Sequence, residues 1–114
     1  MPGGVRDLRA SAVSKTKVKL SFLAAGSDGR GGPAARVYLV KQSLRPISGA
    51  PAFRRSPSLC GGKCRFAVTR VGARITLTIT GLRPRTTYYY GVAARDSRSQ
   101  RLGARSRVVS VRTP

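Results

Sequence analysis

The chain of 114 residues is predicted to fold as an all-β domain in which two antiparallel sheets pack face to face. The main observation is the strict alternation of apolar and polar side chains in residues 17–23 and 75–80, which is typical of a strand with one buried face. No segment shows a helical period, and glycine and proline separate the short apolar runs. A chain of this length accommodates one core, so residues 1–114 are predicted to form a single domain.

The first part of the chain contains predicted strands at residues 5–13 and 17–23. The side chains predicted to face the core are Leu8, Ala10, Val18, Leu20 and Phe22. Residues 24–35, which are rich in glycine, are predicted to be a plain connecting loop. The GK[ST] sequence and the following helix of a phosphate-binding loop are both absent there.

An irregular, insertion-like stretch is predicted at residues 42–64. It contains Pro46, Pro51 and Pro57 and ends in Cys60-Gly61-Gly62-Lys63-Cys64. Glycines between the cysteines can adopt the positive φ values that a tight ring needs, so a local disulfide between Cys60 and Cys64 is predicted. This bond places the protein in an oxidising compartment. Two free thiols in a cytoplasmic protein are the alternative.

Residues 75–95 carry the strongest pattern in the chain. Ile75, Leu77 and Ile79 alternate with threonines, and a turn follows at Leu82 and Pro84. The second alternating segment places Tyr88, Tyr90, Val92 and Ala94 on one side. Two half-buried strands joined by a corner are therefore predicted.

At this corner the sequence resembles a fibronectin type III domain between its strands E and F. The matching residues are Leu82, Pro84, Thr86, Tyr88, Tyr90, Val92 and Ala94. The resemblance implies a seven-stranded antiparallel sandwich of the immunoglobulin-like type. It also implies that Leu82, Pro84 and Tyr88 form a tyrosine corner, whose hydroxyl bonds to upstream backbone. Phe22 stands where this family usually has a tryptophan on strand B.

The same resemblance makes residues 36–41 strand C, with Tyr38 and Val40 facing the core. Side chains alternate along a strand, so the outward residues of strands C and F include Val37, Leu39, Tyr89, Gly91 and Ala93. We predict that they form an apolar interaction face with a polar edge of Arg36, Lys41 and Arg95.

One alternative is that residues 42–59 fold back over this face and bury it within the domain. The opposite sheet is predicted to be well solvated and to need no cover. Its outward residues are Lys17, Lys19, Thr76, Thr78 and Thr80.

The amino-acid composition limits the classes of function that the chain can have. The formal net charge is +20, which attracts polyanions in a salt-dependent way, although a coding bias towards arginine would give the same composition. The chain has no His and no Glu, and its three acids, Asp7, Asp28 and Asp96, lie in separate segments. No enzymatic activity, metal site or cofactor is therefore predicted. No apolar run reaches the roughly 20 residues of a membrane span.

The sequence most directly indicates a non-catalytic spacer, adhesion or protein-interaction module of a secreted or cell-surface protein. A self-associating structural subunit that uses the apolar face is one alternative. A non-specific binder of anionic glycan, nucleic acid or another polyanion is the other. Sequence-specific nucleic-acid binding is not expected, because attraction by net charge alone is indifferent to sequence. Base stacking does not strengthen this binding much, since only Tyr89 among the three adjacent tyrosines points outwards.

Overall fold

The computed structural model describes residues 4–28, 31–68, 70–95 and 101–114. Within these ranges the chain forms nine β-strands, one short α-helix and one 3₁₀ turn. The elements are β1 (Arg6–Ser14), β2 (Lys17–Leu23), β3 (Gly26–Asp28), β4 (Gly31–Ala34), β5 (Val37–Ser43), α1 (Gly49–Arg55), the 3₁₀ turn (Cys60–Gly62), β6 (Cys64–Arg65), β7 (Arg74–Ile79), β8 (Thr87–Arg95) and β9 (Val109–Arg112).

Two antiparallel sheets of three and four strands make up most of the fold. The three-stranded sheet has the order β1-β2-β7, and the four-stranded sheet has the order β6-β5-β8-β9. Strands β3 and β4 pair with each other, so part of the predicted glycine-rich loop is a small β-hairpin. The prediction of an all-β chain with two antiparallel sheets is confirmed.

Alternation places one face of each sheet in a common core. In the three-stranded sheet, Leu20 lies opposite Leu77 and Phe22 lies opposite Ile75. In the four-stranded sheet, Val40 lies opposite Val92. The side chains that these pairings turn inwards are among the most deeply buried of the described residues, including Val18, Leu20, Phe22, Tyr38, Val40, Tyr90 and Val92. Burial of this kind supplies roughly 1.5–3 kcal/mol for each large apolar side chain.

Three aromatic rings meet in the core, where Phe22 and Tyr38 are fully buried and Phe66 is half-buried against them. Phe22 and Tyr38 lie 5.0 Å apart between ring centroids. Phe66 presents its edge to both rings, at 6.0 Å from Phe22 and 5.9 Å from Tyr38. Phe66 thus adds aromatic volume beside the phenylalanine that stands where a larger tryptophan was expected. Phe66 is not among the core residues that the sequence predicts, because the strand-like run at residues 65–68 is too short to show which of its side chains face inwards.

Residues 42–64 are more ordered than the sequence indicated. Strand β5 continues to Ser43, and helix α1 follows with Phe53 as its buried residue. Ser56 caps the C-terminus of the helix, and its hydroxyl and backbone N–H both donate to the carbonyl oxygen of Ala52, at 2.7 Å and 3.1 Å. A helix of seven residues is too short to produce a recognisable period, which is why the sequence predicted irregular structure here.

Candidate interaction surface

The predicted apolar face on strands β5 and β8 is not exposed. Leu39 and Ala93 retain 6% and 0% of their surface, and they form a second apolar cluster with Ile47 and Phe53. Val37 is buried as well, at 7%. The expectation that these side chains face solvent is wrong, because residues 42–59 fold back and place helix α1 over the sheet. The second cluster lies on the opposite side of the four-stranded sheet from the main core.

Gly91 shows how closely the helix approaches. A Cβ atom at this position would lie 3.1 Å from Cε2 of Phe53, which is closer than normal van der Waals contact. The phenylalanine ring therefore rests on backbone that glycine leaves uncovered. A glycine in the middle of a strand that is apolar on both sides is the sequence signal that could have indicated a covered face.

Lys41, predicted as part of the polar edge, is an internal structural residue with 7% of its surface exposed. Its Nζ donates to the carbonyl oxygens of Arg54 at 3.3 Å and Ser56 at 2.9 Å, and to Oγ of Ser58 at 2.9 Å. The ammonium group thus satisfies carbonyl groups at the end of α1 that have no partner within the helix. Burial, and then repulsion from Arg95, lowers the pKa of Lys41 below its ordinary value.

The remaining members of the predicted face also make contacts within the domain. Arg36 is exposed and donates from Nε to the carbonyl oxygen of Val68 at 3.2 Å. Arg95 is half-buried and donates from Nε to the carbonyl oxygen of Gly62 at 3.0 Å. Tyr89 is half-buried against the second cluster. The structure brings the predicted residues together, but as a buried cluster and its partly exposed edge and not as an open surface.

The predicted disulfide between Cys60 and Cys64 is confirmed. The intervening glycines have positive φ values, 64° at Gly61 and 87° at Gly62, as the tight ring required. Cys64 is buried and pairs with Tyr38 at the edge of the four-stranded sheet. The bridge therefore ties the loop after α1 to the sheet that α1 covers.

Tyr88 adopts the geometry that a tyrosine corner requires. Its hydroxyl oxygen accepts a hydrogen bond from the backbone N–H of Arg83 at 2.9 Å. Leu82 is buried below it, and its own N–H donates to the carbonyl oxygen of Thr16 at 2.9 Å. Pro84 lies in the exposed turn between them. These bonds fix the connection that takes the chain from β7 in the three-stranded sheet to β8 in the four-stranded sheet.

Two further tyrosine hydroxyls are used inside the domain. Tyr38 accepts from the backbone N–H of Ala25 at 3.0 Å, and Tyr90 donates to Oε1 of Gln42 at 2.9 Å. Burial raises the pKa of Tyr38, although its hydrogen bond to Ala25 has the opposite effect. Burial, and then the neighbouring Tyr88, raises the pKa of Tyr90 well above its ordinary value. Neither hydroxyl is suited to proton transfer at neutral pH.

The outward side of the three-stranded sheet, which we call the basic face, is exposed except at Ser21, which is half-buried. Its cations are Arg9, Lys17, Lys19 and Arg74, and its hydroxyls are Ser11, Ser21, Thr76 and Thr78. The lysines and threonines are exposed as predicted, but the sequence analysis did not include the two arginines. Continuing the alternation from Leu8 and Ala10 would have placed Arg9 outwards.

Asp7 lies at one end of the basic face and binds both arginines. Its carboxylate accepts from Nε of Arg9 at 3.1 Å and from Nη2 of Arg74. Hydrogen bonds from Arg74 and then Arg9 hold the pKa of Asp7 below its ordinary value. Asp7 has a φ of 56° and lies where the pairing of β1 with β2 shifts register, which is typical of a β-bulge.

Among the described residues, no group of three or more His, Cys, Asp and Glu side chains is positioned to hold a metal ion. Asp96, one of the three acids of the chain, lies outside the described residues. Within the described ranges, none of the helices has the length and apolar character needed to cross a bilayer.

Comparison with known proteins shows the fold. No family model matches the chain, and no curated protein does. A fibronectin type III-like protein from Clostridium thermocellum is 23% identical with a TM-score of 0.61, covering 100% of this chain and 93% of that one. The FN5 domain of Drosophila Lar is 23% identical with a TM-score of 0.54, covering 100% and 98%.

The sixth fibronectin type III domain of human fibronectin type III domain containing protein 3 is similar over the whole of this chain and 87% of that one. It has 19% identity and a TM-score of 0.60. These identities show the fold alone, and that fold is of the fibronectin type III kind.

Proposed function

We propose that this fibronectin type III-like chain is a non-catalytic module of a secreted or cell-surface protein, acting there as a spacer, adhesion or protein-interaction domain. The observation that carries the proposal is that the buried polar side chains are engaged in holding the fold. Lys41, Tyr38, Tyr88 and Tyr90 all bond within the domain. Asp7 is held between two guanidinium groups, which leaves it a poor general base.

The disulfide supports a location outside the cytoplasm. Cys60 and Cys64 are bonded to each other, and structural disulfides persist in oxidising compartments.

We further propose that residues 1–114 fold as one domain, of which the insertion-like stretch at residues 42–64 is an integral part. Helix α1 and the disulfide loop have no core of their own and pack on strands β5 and β8. A single cooperative unfolding transition, coincident by far-UV and near-UV circular dichroism, is the expected result. Separate transitions for the two probes would contradict a single domain.

Size-exclusion chromatography with light scattering tests the module. We expect a monomer at every concentration, in both low and high salt, because the apolar face predicted for self-association is covered by α1. Association that strengthens with concentration would favour a self-associating structural subunit instead. Because α1 covers the apolar face, the observation that suggested a self-associating subunit no longer supports it.

Binding of an anionic polymer is the second candidate function. The observation that favours it is the exposed basic face, whose cations lie together on one sheet of a chain with a net charge of +20. Binding that weakens steeply as salt is raised is the expected behaviour.

A further inference from the structure

The basic face combines exposure with order. Arg9 and Arg74 keep 71% and 40% of their side-chain surface exposed while both bind Asp7. Lys17, Lys19 and the two threonines of β7 are exposed too. These groups project from three paired strands, so their relative positions are set by the sheet and not by loops.

Strand pairing arranges the groups in rows across the sheet. Arg9, Ser21 and Thr76 form one row, and Ser11, Lys19 and Thr78 form the next. Neighbours within a row are about 4.8 Å apart, and successive rows are about 7 Å apart along the strand. The cations thus follow the central strand β2, from Lys17 past Lys19 to the arginine pair, with hydroxyls on both sides.

The arginine pair already holds a carboxylate. Asp7 accepts from Arg9 and Arg74, while Nη1 of Arg74 also donates to Oγ of Ser21 at 3.3 Å. Two guanidinium groups that converge on one carboxylate form a recognition site for that anion, and here the domain's own side chain occupies it. Asp7 reaches this site from the bulge in β1, where its backbone φ is positive.

We infer that the basic face is a docking surface for an acidic polysaccharide that carries carboxylate groups. The sugar carboxylates bind the lysines of β2 and compete with Asp7 for Arg9 and Arg74. The sugar hydroxyl groups bond to the serine and threonine hydroxyls between the cations. This inference rests on the proposed function in one respect, namely that the domain works outside the cytoplasm.

Other classes of partner fit the face less well. The face presents no aromatic side chain among its described residues, whereas proteins that bind single-stranded nucleic acid stack bases on such side chains. It also lacks the apolar centre that supplies most of the affinity of a protein interface, since Val13, the exposed large apolar side chain of β1, lies near the end of that strand. A hydroxylated, negatively charged chain complements both the cations and the hydroxyls.

Binding to immobilised polygalacturonate, measured by biolayer interferometry with the disulfide intact, tests the inference. The variant carries Lys17→Gln and Lys19→Gln on the basic face. The control carries Arg54→Gln and Arg55→Gln, two exposed positions on α1, on the far side of the domain. Each pair lowers the formal net charge of +20 by two. We expect the basic-face variant to lose affinity on the order of tenfold, and the control to change by less than about threefold.

Equal losses in the two variants would overturn the inference, because net charge would then account for the binding. Asp7→Asn is a second variant, since asparagine tolerates a positive φ. It frees the arginine pair and should tighten binding several-fold. Unchanged or weaker binding would show that the pair is not part of the site.

Two further ligands complete the test. Neutral dextran should not bind. Single-stranded DNA should bind more weakly than polygalacturonate at equal salt, and the opposite order would overturn the assignment to a polysaccharide. Failure of the proposed function is seen separately, as release of reducing ends from the polymer or as self-association of the protein. A folded monomer that neither cleaves nor binds polygalacturonate would overturn this inference and leave the proposed function intact.

Discussion

The outward face of the four-stranded sheet is buried, whereas the outward face of the three-stranded sheet is exposed. On the four-stranded sheet, Leu39 and Ala93 point away from the main core and are buried beneath Phe53 of α1. On the three-stranded sheet, Lys19 and Thr78 occupy the equivalent outward direction and remain in water. Both faces obey the same alternation. What differs is whether covering the face with another segment of the chain lowers the free energy of the folded state.

The cover is stabilised by apolar burial and by hydrogen bonds together. Phe53 lies over Gly91, with Lys41 and Arg105 each 5.9 Å from the centre of its ring. Lys41 then binds the carbonyl groups at the end of the helix. A short helix with no stability of its own is thus held by tertiary contacts. The basic face offers charged and hydroxyl groups instead of apolar surface, so covering it would remove those groups from solvent at a cost in free energy.

The largest expected effect comes from making the covered face polar. Leu39→Ser with Tyr89→Ser should lower the free energy of unfolding by about 3–6 kcal/mol, since it removes apolar contacts and buries a hydroxyl. Lys19→Ser with Thr78→Ser on the basic face is the matched control and should change it by less than about 0.5 kcal/mol. Urea denaturation measures both. Similar losses in the free energy of unfolding for the two pairs of substitutions would show that the two faces contribute equally to stability.

Removal of the ring that covers the sheet is expected to have the next largest effect. Phe53→Ala should lower the free energy of unfolding by about 2–4 kcal/mol, as a truncation in a small cluster that can partly collapse. Near-UV circular dichroism should still show the packed tyrosines of the main core. Arg54→Ala, at the exposed neighbouring position, serves as the control. A loss below about 1 kcal/mol for Phe53→Ala would mean that α1 contributes little.

The disulfide should contribute less to the free energy of unfolding than the apolar contacts of α1 do. Cys60→Ser with Cys64→Ser is expected to cost about 2 kcal/mol, the value that loop-closure entropy gives for so small a ring. The wild-type protein measured after reduction should lose a similar amount. If the variant did not fold at all, the bridge would be essential to the β5 edge and not an accessory to it.

The smallest effect is expected at Lys41. Lys41→Met leaves carbonyl acceptors without their donor but removes a buried charge, so the net loss at pH 7 should be about 1 kcal/mol. Because burial lowers the pKa of Lys41, the unfolded chain holds its proton up to a higher pH than the folded protein. The contribution of Lys41 to stability therefore grows as pH rises from its folded pKa towards its ordinary value near 10.5.

Taking the difference between wild type and Lys41→Met at each pH cancels the contributions of Tyr38 and Tyr90, whose pKa values are raised in the folded protein, because both proteins contain these tyrosines. Guanidinium denaturation from pH 7 to pH 10 provides the data. A difference that shrinks with rising pH would show that the charged form of Lys41 is the one the fold favours.

Local patterns determined much of the fold. The alternation at Val18, Leu20 and Phe22 predicts a strand with one buried face, because side-chain direction depends only on the position along the strand. The disulfide could be predicted as well, since Cys60 and Cys64 are four residues apart with two flexible glycines between them. The corner at Leu82 and Tyr88 also forms within a few residues.

Only the tertiary structure decided which surfaces meet water. Burial of Leu39 depends on Phe53, which belongs to a helix too short to be seen in the sequence. The ion pair of Asp7 with Arg74 joins residues 67 positions apart, and Phe66 enters the core from an irregular segment. Periodicity describes the direction of a side chain relative to its own strand. Whether solvent or another part of the chain lies in that direction depends on long-range packing, which local sequence does not encode.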